Sequence, residues 1–495
     1  MRCSGILMHI TSLPGPYGVG TMGKQAFSFI DFLHSAGQSC WQILPLNPTG
    51  YGDSPYQSCS TFAGNHYLID LELLAEEGLL EKSELDEITW CRSEAKVDFG
   101  LLYENRLKVL RKAFARHGET EEFARFRAVN DSWLPDFAAY MVLKDRFGGK
   151  PWYEWPEGLR SRTDNYIEAA VEYAGYEGYQ FYCFVQYLFF KQWNALRDYA
   201  HSKGIRIIGD VPIYVPYDSV EVWKEPQLFQ LDEHLVPTAV AGCPPDAFTA
   251  DGQLWGNPLY DWQAMEKENF AWWIRRLEAA GKLYDVVRLD HFRGLESYWS
   301  VPYGDKTARN GKWVKGPDMA FVRAIRQALP ELDMIAEDLG YLTQEVLDLR
   351  NGSGYPGMKV LEFAFDVKEP ADYLPHTYTA NSVVYTGTHD NMTMRQWFDT
   401  ADAESVAYAA AYMHLTEQEG YVWGTVRTAF ASVSDTCIIP MQDILDLGAE
   451  ARMNFPGTLS DSNWTWRLKD GIITNVLAEK LLALTTLYDR LGGKQ

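Results

Sequence analysis

Cysteine is scarce and scattered. The seven stand at positions 3, 40, 59, 91, 183, 243 and 437, an odd number with no Cys-x-x-Cys spacing, so reduced thiols are expected rather than a disulfide framework or metal ligands. The histidines include no His-x-x-x-His pair, and neither a metal nor another cofactor is implied. Long apolar runs are also missing. No stretch of 18 apolar residues occurs, and the first residues, Met-Arg-Cys-Ser-Gly-Ile-Leu-Met-His-Ile, lack a sustained apolar segment followed by a small-residue cleavage site. A soluble cytoplasmic protein without membrane contact is the expectation. Basic charge is short as well: 45 Lys and Arg against 67 Asp and Glu leave a net charge of -22. That balance disfavours nucleic acid and anionic membrane surfaces and suits a neutral or cationic ligand. Neither a Gly-x-Gly-x-x-Gly nor a Walker pattern is expected to support a nucleotide, and no internal repeat or low-complexity tract is present.

What the chain does have is a series of short apolar runs bounded by turn residues, each ending in polar residues or glycine. Buried parallel strands read this way when they feed functional loops. The runs are Gly5 to Ile10, Trp41 to Leu46, Ile205 to Gly209, the Val286 run, Met334 to Ala336, Met358 to Phe365, Val383 to Gly387 and Cys437 to Met441. Helical patterns separate most of them, among them Lys24 to Ala36, Tyr182 to His201, Asn269 to Ala280, Ala320 to Ala328 and Ala403 to His414. Length alone would allow about three domains. Eight strands alternating with helices instead make a single (β/α)8 TIM barrel over 1–495 the expected architecture, of α/β class.

Two gaps between strands are long. Residues 71–180 read as an inserted helical subdomain, and 214–268 as a loop-rich insertion over the site, both leaving the C-terminal face where barrel active sites are built. The segment behind the eighth run is shorter than the roughly 100 residues of a β-sandwich, so no C-terminal sandwich is expected.

The densest polar cluster is Tyr284-Asp-Val-Val-Arg-Leu-Asp-His-Phe-Arg-Gly294. Strand alternation sends Arg288 and Asp290 to one side, where the guanidinium favours an ionised carboxylate. An isolated Arg-x-Asp is more often a structural salt bridge. Here, however, Asp210, Glu337 and Asp390 also end strands, and a barrel brings such ends to one mouth. Paired carboxylates serve glycoside cleavage, one as nucleophile or base and one as proton donor, with a third able to steady positive charge. Glu337, behind Met-Ile-Ala, is the candidate acid, because burial and neighbouring anions raise a carboxyl pKa. Asp338 should point away.

His291 and His389 adjoin these carboxylates, and neutral imidazoles suit sugar hydroxyls as donor and acceptor. Aromatic residues make up 14% of the chain, and Tyr51, Tyr56, Trp255 and Tyr260 lie among Gly, Pro, Asp and Asn in loops, where flat rings stack on sugar faces. Trp41 and Phe184 read as core.

The stretches Asn47-Pro-Thr-Gly-Tyr-Gly-Asp-Ser-Pro-Tyr56, Gly209-Asp-Val-Pro-Ile-Tyr214, Ala250-Asp-Gly-Gln-Leu-Trp-Gly-Asn-Pro258, Val287-Arg-Leu-Asp-His-Phe-Arg293, Ala336-Glu-Asp-Leu-Gly340 and Thr386-Gly-Thr-His-Asp-Asn391 together resemble the 4-α-glucanotransferases, or amylomaltases, of glycoside hydrolase family 77. The resemblance implies a retaining double displacement on α-1,4-glucans and maltooligosaccharides. Asp290 would match the nucleophile, Glu337 the acid/base and Asp390 the transition-state stabiliser. Tyr56, Asp210, Arg288, His291 and His389 would match the surroundings of the nucleophile, with Ser54 and Asn257 counted among the substrate-binding residues. Trp255 would belong to a substrate-covering loop and Tyr51 to a glucan-binding surface. After Tyr214 the chain reads Val-Pro-Tyr-Asp, which does not match the family pattern. A hydrolase of the same clan and a non-catalytic glucan-binding protein are the alternatives, and a monomer or weak homo-oligomer is expected.

Overall fold

The computed structural model describes residues 2–162, 165–245, 250–340, 342–367 and 373–492. Among them, twelve strands form two sheets: β1 (Cys3–Leu7), β2 (Cys40–Gln42), β3 (Arg206–Val211), β4 (Ala239–Cys243), β5 (Gln253–Pro258), β6 (Val286–Leu289), β7 (Ser297–Pro302), β8 (Lys312–Lys315), β9 (Asp333–Ala336), β10 (Gly357–Val360), β11 (Ser382–Tyr385) and β12 (Thr436–Pro440). Eight of them close a parallel barrel in the order β1-β12-β11-β10-β9-β6-β3-β2. Each of the eight apolar runs contributes one barrel strand.

The strands pack on both faces, as parallel strands do. All four residues of β6 and all four of β11 are buried. Several runs extend past the pairing they support. The run Trp41 to Leu46 is strand only over Cys40–Gln42, and Met358 to Phe365 only over Gly357–Val360, before a short helical turn at Leu361–Ala364. Leu44, Leu46 and Leu361 are still buried. Their apolar character therefore serves core packing after the chain has bent into a loop.

Helices surround the barrel. Lys24–Ser35 buries Phe29, Ile30 and Leu33 at helical spacing, and the turn behind it uses Gly37 at φ +71°. The longest helix, Tyr176–Ser202, buries Phe181, Phe184, Val185, Leu188, Phe189, Trp193 and Leu196 and packs on both β3 and Lys24–Ser35. Between β2 and β3 the chain is mostly helical. Its helices Leu71–Glu76, Phe99–His117 and Glu121–Val129 are capped by Asp70, Asp98 and Thr120, which accept from the backbone N–H of Leu73, Leu101 and Phe123.

The second sheet, β5-β4-β7-β8, is antiparallel and was not foreseen. Two of its strands occupy the 214–268 segment read as loop-rich, and two come after β6. It is therefore built from chain that leaves the C-terminal ends of β3 and β6, and it carries Trp255 and Asn257 on β5.

Two Gly-x-Gly-x-x-Gly spacings do occur, at Gly18, Gly20 and Gly23, ahead of Lys24–Ser35, and at Gly352, Gly354 and Gly357, which leads into the strand β10 rather than a helix. Protein fills the space against the first. A Cβ at Gly20 would lie 1.9 Å from the Ile10 carbonyl oxygen, and one at Gly23 2.0 Å from Asp70 Oδ2. These glycines permit close backbone packing, with no room left for a pyrophosphate. Among the described residues no helix is long and apolar enough to cross a membrane.

Candidate active site

Strand register sets the first contact. Asp210 on β3 and Arg288 on β6 are paired residues of neighbouring strands, so their side chains leave the sheet on the same face. One terminal nitrogen of Arg288 lies 2.9 Å from Asp210 Oδ1 and 2.7 Å from Oδ2, and the same nitrogen reaches Asp290 Oδ1 at 3.0 Å. The Arg288 and Asp210 side chains are 5% and 0% exposed, whereas Asp290 keeps 29% of its side chain open. Of these two carboxylates, Asp290 is the one that a ligand can meet.

His291 comes next, in the left-handed region at φ 52° and ψ 46°. That turn aims its backbone N–H at Glu337 Oε2, 2.7 Å away, while Glu337 Oε1 accepts from Leu339 N at 2.9 Å. Leu289 and Ala336 are register partners on β6 and β9, so Asp290 and Glu337 emerge side by side. Burial pushes the Asp290 carboxyl well above its usual range. Arg288 opposes that shift, and the charges of Asp210, Glu337 and Asp390 add to it. Burial also raises Glu337, countered by the more remote Arg288 charge and by its two backbone donors. Asp338 faces the other way, 2.6 Å from Arg350 and accepting from Met358 N at 2.7 Å.

The loop after β11 brings His389 and Asp390. Tyr56 donates its hydroxyl to Asp210 Oδ2 at 2.7 Å and stacks on His389, ring centres 5.1 Å apart and planes 16° from parallel. His389 Nε2 stands 3.5 Å from Asp390 Oδ2. Burial lowers the pKa of His389 despite Asp390, and burial pushes His291 down to about 3, so both imidazoles are neutral near pH 7. Each can then offer one N–H and one acceptor.

Three residues here were not singled out from the sequence. Asn454 Nδ2 donates to Asp390 Oδ1 at 2.7 Å, Arg452 donates to the Asp390 carbonyl at 3.0 Å, and Trp464 closes over the Tyr56 and His389 rings at 5.8 and 5.9 Å. The available signal was the Met453-Asn-Phe-Pro-Gly-Thr turn behind the last strand.

Trp255 sits edge-on to His291, centroids 4.9 Å apart and planes 88° apart. Asn257 accepts from Gln57 Nε2 at 3.3 Å, and Ser54 Oγ accepts from Tyr56 N at 3.2 Å. Both contacts hold the turn that presents Tyr56. Tyr51 belongs to the helical turn Tyr51–Asp53, and its side chain lies outside the described residues. Tyr260 is fully buried, its hydroxyl donating to the Ile213 carbonyl at 2.7 Å; it is a core residue, contrary to its reading as a loop aromatic. Among the described residues no group of three His, Cys, Asp or Glu side chains could hold a metal ion.

A parallel barrel whose strand ends gather carboxylates, neutral imidazoles and aromatic rings is the architecture of a carbohydrate-active (β/α)8 enzyme. Residues 8–474 match the family model described as 4-alpha-glucanotransferase. The chain is 50% identical to the 4-alpha-glucanotransferase of Clostridium butyricum, over 98% of this chain and 100% of that one, and 47% identical to that of Thermus thermophilus, over 99% of each. The solved amylomaltase of Streptococcus agalactiae, in complex with acarbose, superposes with a TM-score of 0.95 at 42% identity, over 99% of this chain and 100% of that one. The chain belongs to the 4-alpha-glucanotransferase family, glycoside hydrolase family 77.

Proposed function

We propose that this enzyme cleaves an α-1,4 bond of a glucan or maltooligosaccharide and passes the freed segment to the 4-hydroxyl of another glucan or of glucose. The observation that carries the reading is the division of labour at adjacent strand ends. Burial raises both carboxyls, but Asp290, 29% exposed, accepts directly from Arg288, whereas the hydrogen bonds to Glu337 among the described residues come from the backbone N–H of His291 and Leu339, which leaves Glu337 the one able to carry a proton.

Glu337 donates its proton to the glycosidic oxygen as Asp290 attacks the anomeric carbon, giving a β-linked glucosyl ester on Asp290 and releasing the leaving glucan. Asp390 faces the positive charge that develops on the sugar ring. Glu337 then takes the proton from the acceptor hydroxyl, that oxygen attacks the anomeric carbon, and the ester opens with overall retention. Tyr56, Asp210, Arg288, His291 and His389 frame the sugar bound at the nucleophile, and Tyr51, Ser54 and Asn257 support the binding wall. Trp255 holds the acceptor so that water does not replace it. The segments 71–180 and 214–268 wall the cleft. On this reading the working form is a cytoplasmic monomer or weak homo-oligomer that needs no cofactor.

Purified protein given maltotriose alone tests this. A ladder of longer maltooligosaccharides together with glucose is the expected product. Shortened products without a ladder would point to a hydrolase, and unchanged maltotriose to a binding protein.

A further inference from the structure

Asp443 is 1% exposed, stands on the short helical turn Met441–Ile444 behind β12, and takes no part in the chemistry described so far. Its two carboxylate oxygens meet opposite ends of one loop. Oδ2 accepts from the hydroxyl of Thr386, the first residue after β11, and Oδ1 accepts from the backbone N–H of Met394, the first residue of the helix Met394–Thr400, at 2.8 Å. Between those two feet lie His389 and Asp390. Further ties hold the loop: the Thr386 carbonyl accepts from Glu362 N at 3.1 Å, and Asn391 Oδ1 accepts from Thr388 N at 2.9 Å and from its hydroxyl at 2.8 Å.

We propose that Asp443 is a positioning residue for the reaction: by clamping both feet of the 386–393 loop on one carboxylate, it sets where Asp390 and His389 stand in the barrel mouth. Hydrogen bonds to a buried carboxylate belong to the stronger class, and removing the acceptor would leave a buried N–H and O–H unpaired. A loop so held loses little order when the transition state forms, which is what a group that must face developing charge requires. Asn454 and Arg452 reach the middle of the loop from the outside; Asp443 fixes its base.

The inference rests on the proposed function, and its test separates the two. Asp443→Leu keeps the approximate volume but can accept neither from the Thr386 hydroxyl nor from Met394 N, so both feet are released. With maltotriose as substrate, kcat should fall about 10- to 100-fold, the scale on which a displacement of roughly 1 Å costs rate, while KM changes much less. Thr386→Val removes only the hydroxyl and should give a smaller fall with the same kcat-against-KM split; it serves as the readout should the Asp443 variant fail to fold. An active wild type with equally active, folded variants would overturn the clamp. So would losses fully accounted for by the unfolded fraction. An inactive wild type would instead sink the proposed function.

Discussion

Arg288 and Asp210 form an ion pair at the base of the mouth, nitrogen to oxygen 2.7 Å, with side chains 5% and 0% exposed, and the same nitrogen supports Asp290 at 3.0 Å. One cation thus serves two carboxylates of unequal exposure. The buried partner holds Arg288 in place and competes with Asp290 for its charge.

Asp210→Asn removes that competing anion, which raises the Asp290 pKa, and leaves the guanidinium to Asp290 alone. The Asp290 pKa should drop. Because the proposed nucleophile acts ionised, activity is lost as pH falls through its pKa, so the acidic limb of kcat/KM should move to lower pH. Arg288→Met has the opposite sign: the acidic limb should move up, and stability should fall by about 3–5 kcal/mol because Asp210 is left as an unpaired buried charge. Profiles of kcat/KM against pH check both directions, and limbs moving the same way in both variants would refute the assignment.

Glu337→Gln removes the proposed proton donor and should lower kcat on maltotriose by about 10²- to 10⁴-fold. An α-maltosyl fluoride, whose leaving group needs no proton, should still react in the first step. The second step then stalls without a base, so a maltosyl ester on Asp290 should accumulate and be visible by mass spectrometry of the intact protein. The amide also sets an NH2 group against a backbone N–H of His291 or Leu339, both of which donate to Glu337 in the wild type. A stability loss of about 1–3 kcal/mol is expected from that unmatched donor.

The barrel was legible because parallel strands buried on both faces leave short apolar runs whatever their distance in sequence. The carboxylates were legible because they end such runs, and the motifs around them pointed to the family. The second sheet was not. β8 reads Lys-Trp-Val-Lys and is largely exposed, and β5 contains Gly256 at φ +77° next to Asn-Pro, so neither shows an apolar alternation. Their pairing is decided by partners across the sheet. Asn454 was missed for a similar reason: it lies 64 positions from Asp390, and nothing local to an Asn in a turn says which carboxylate it will meet. Tyr260 erred in the other direction, since its polar neighbours in sequence are not its neighbours in space.

The proposed role of Trp255 is to decide between acceptor and water. Its ring stands edge-on to His291, the residue directly behind the proposed nucleophile, and its centroid lies 6.2 Å from that of Tyr214; it is carried by a strand rather than a free loop, so its position is set by the second sheet. An acceptor sugar stacked there would cover the glucosyl ester while Glu337 activates its hydroxyl. Trp255→Ala removes the stacking surface but none of the hydrogen bonds around Asp290 and Glu337. The ratio of transfer to hydrolysis should therefore drop by about two- to tenfold, the factor corresponding to the roughly 0.5–1.5 kcal/mol of an aromatic contact. Formation of the ester should suffer less, since it needs no acceptor. Counting free reducing ends against new maltooligosaccharides from maltotriose measures the ratio, and an unchanged value in a folded variant would assign the exclusion of water to other residues of the cleft.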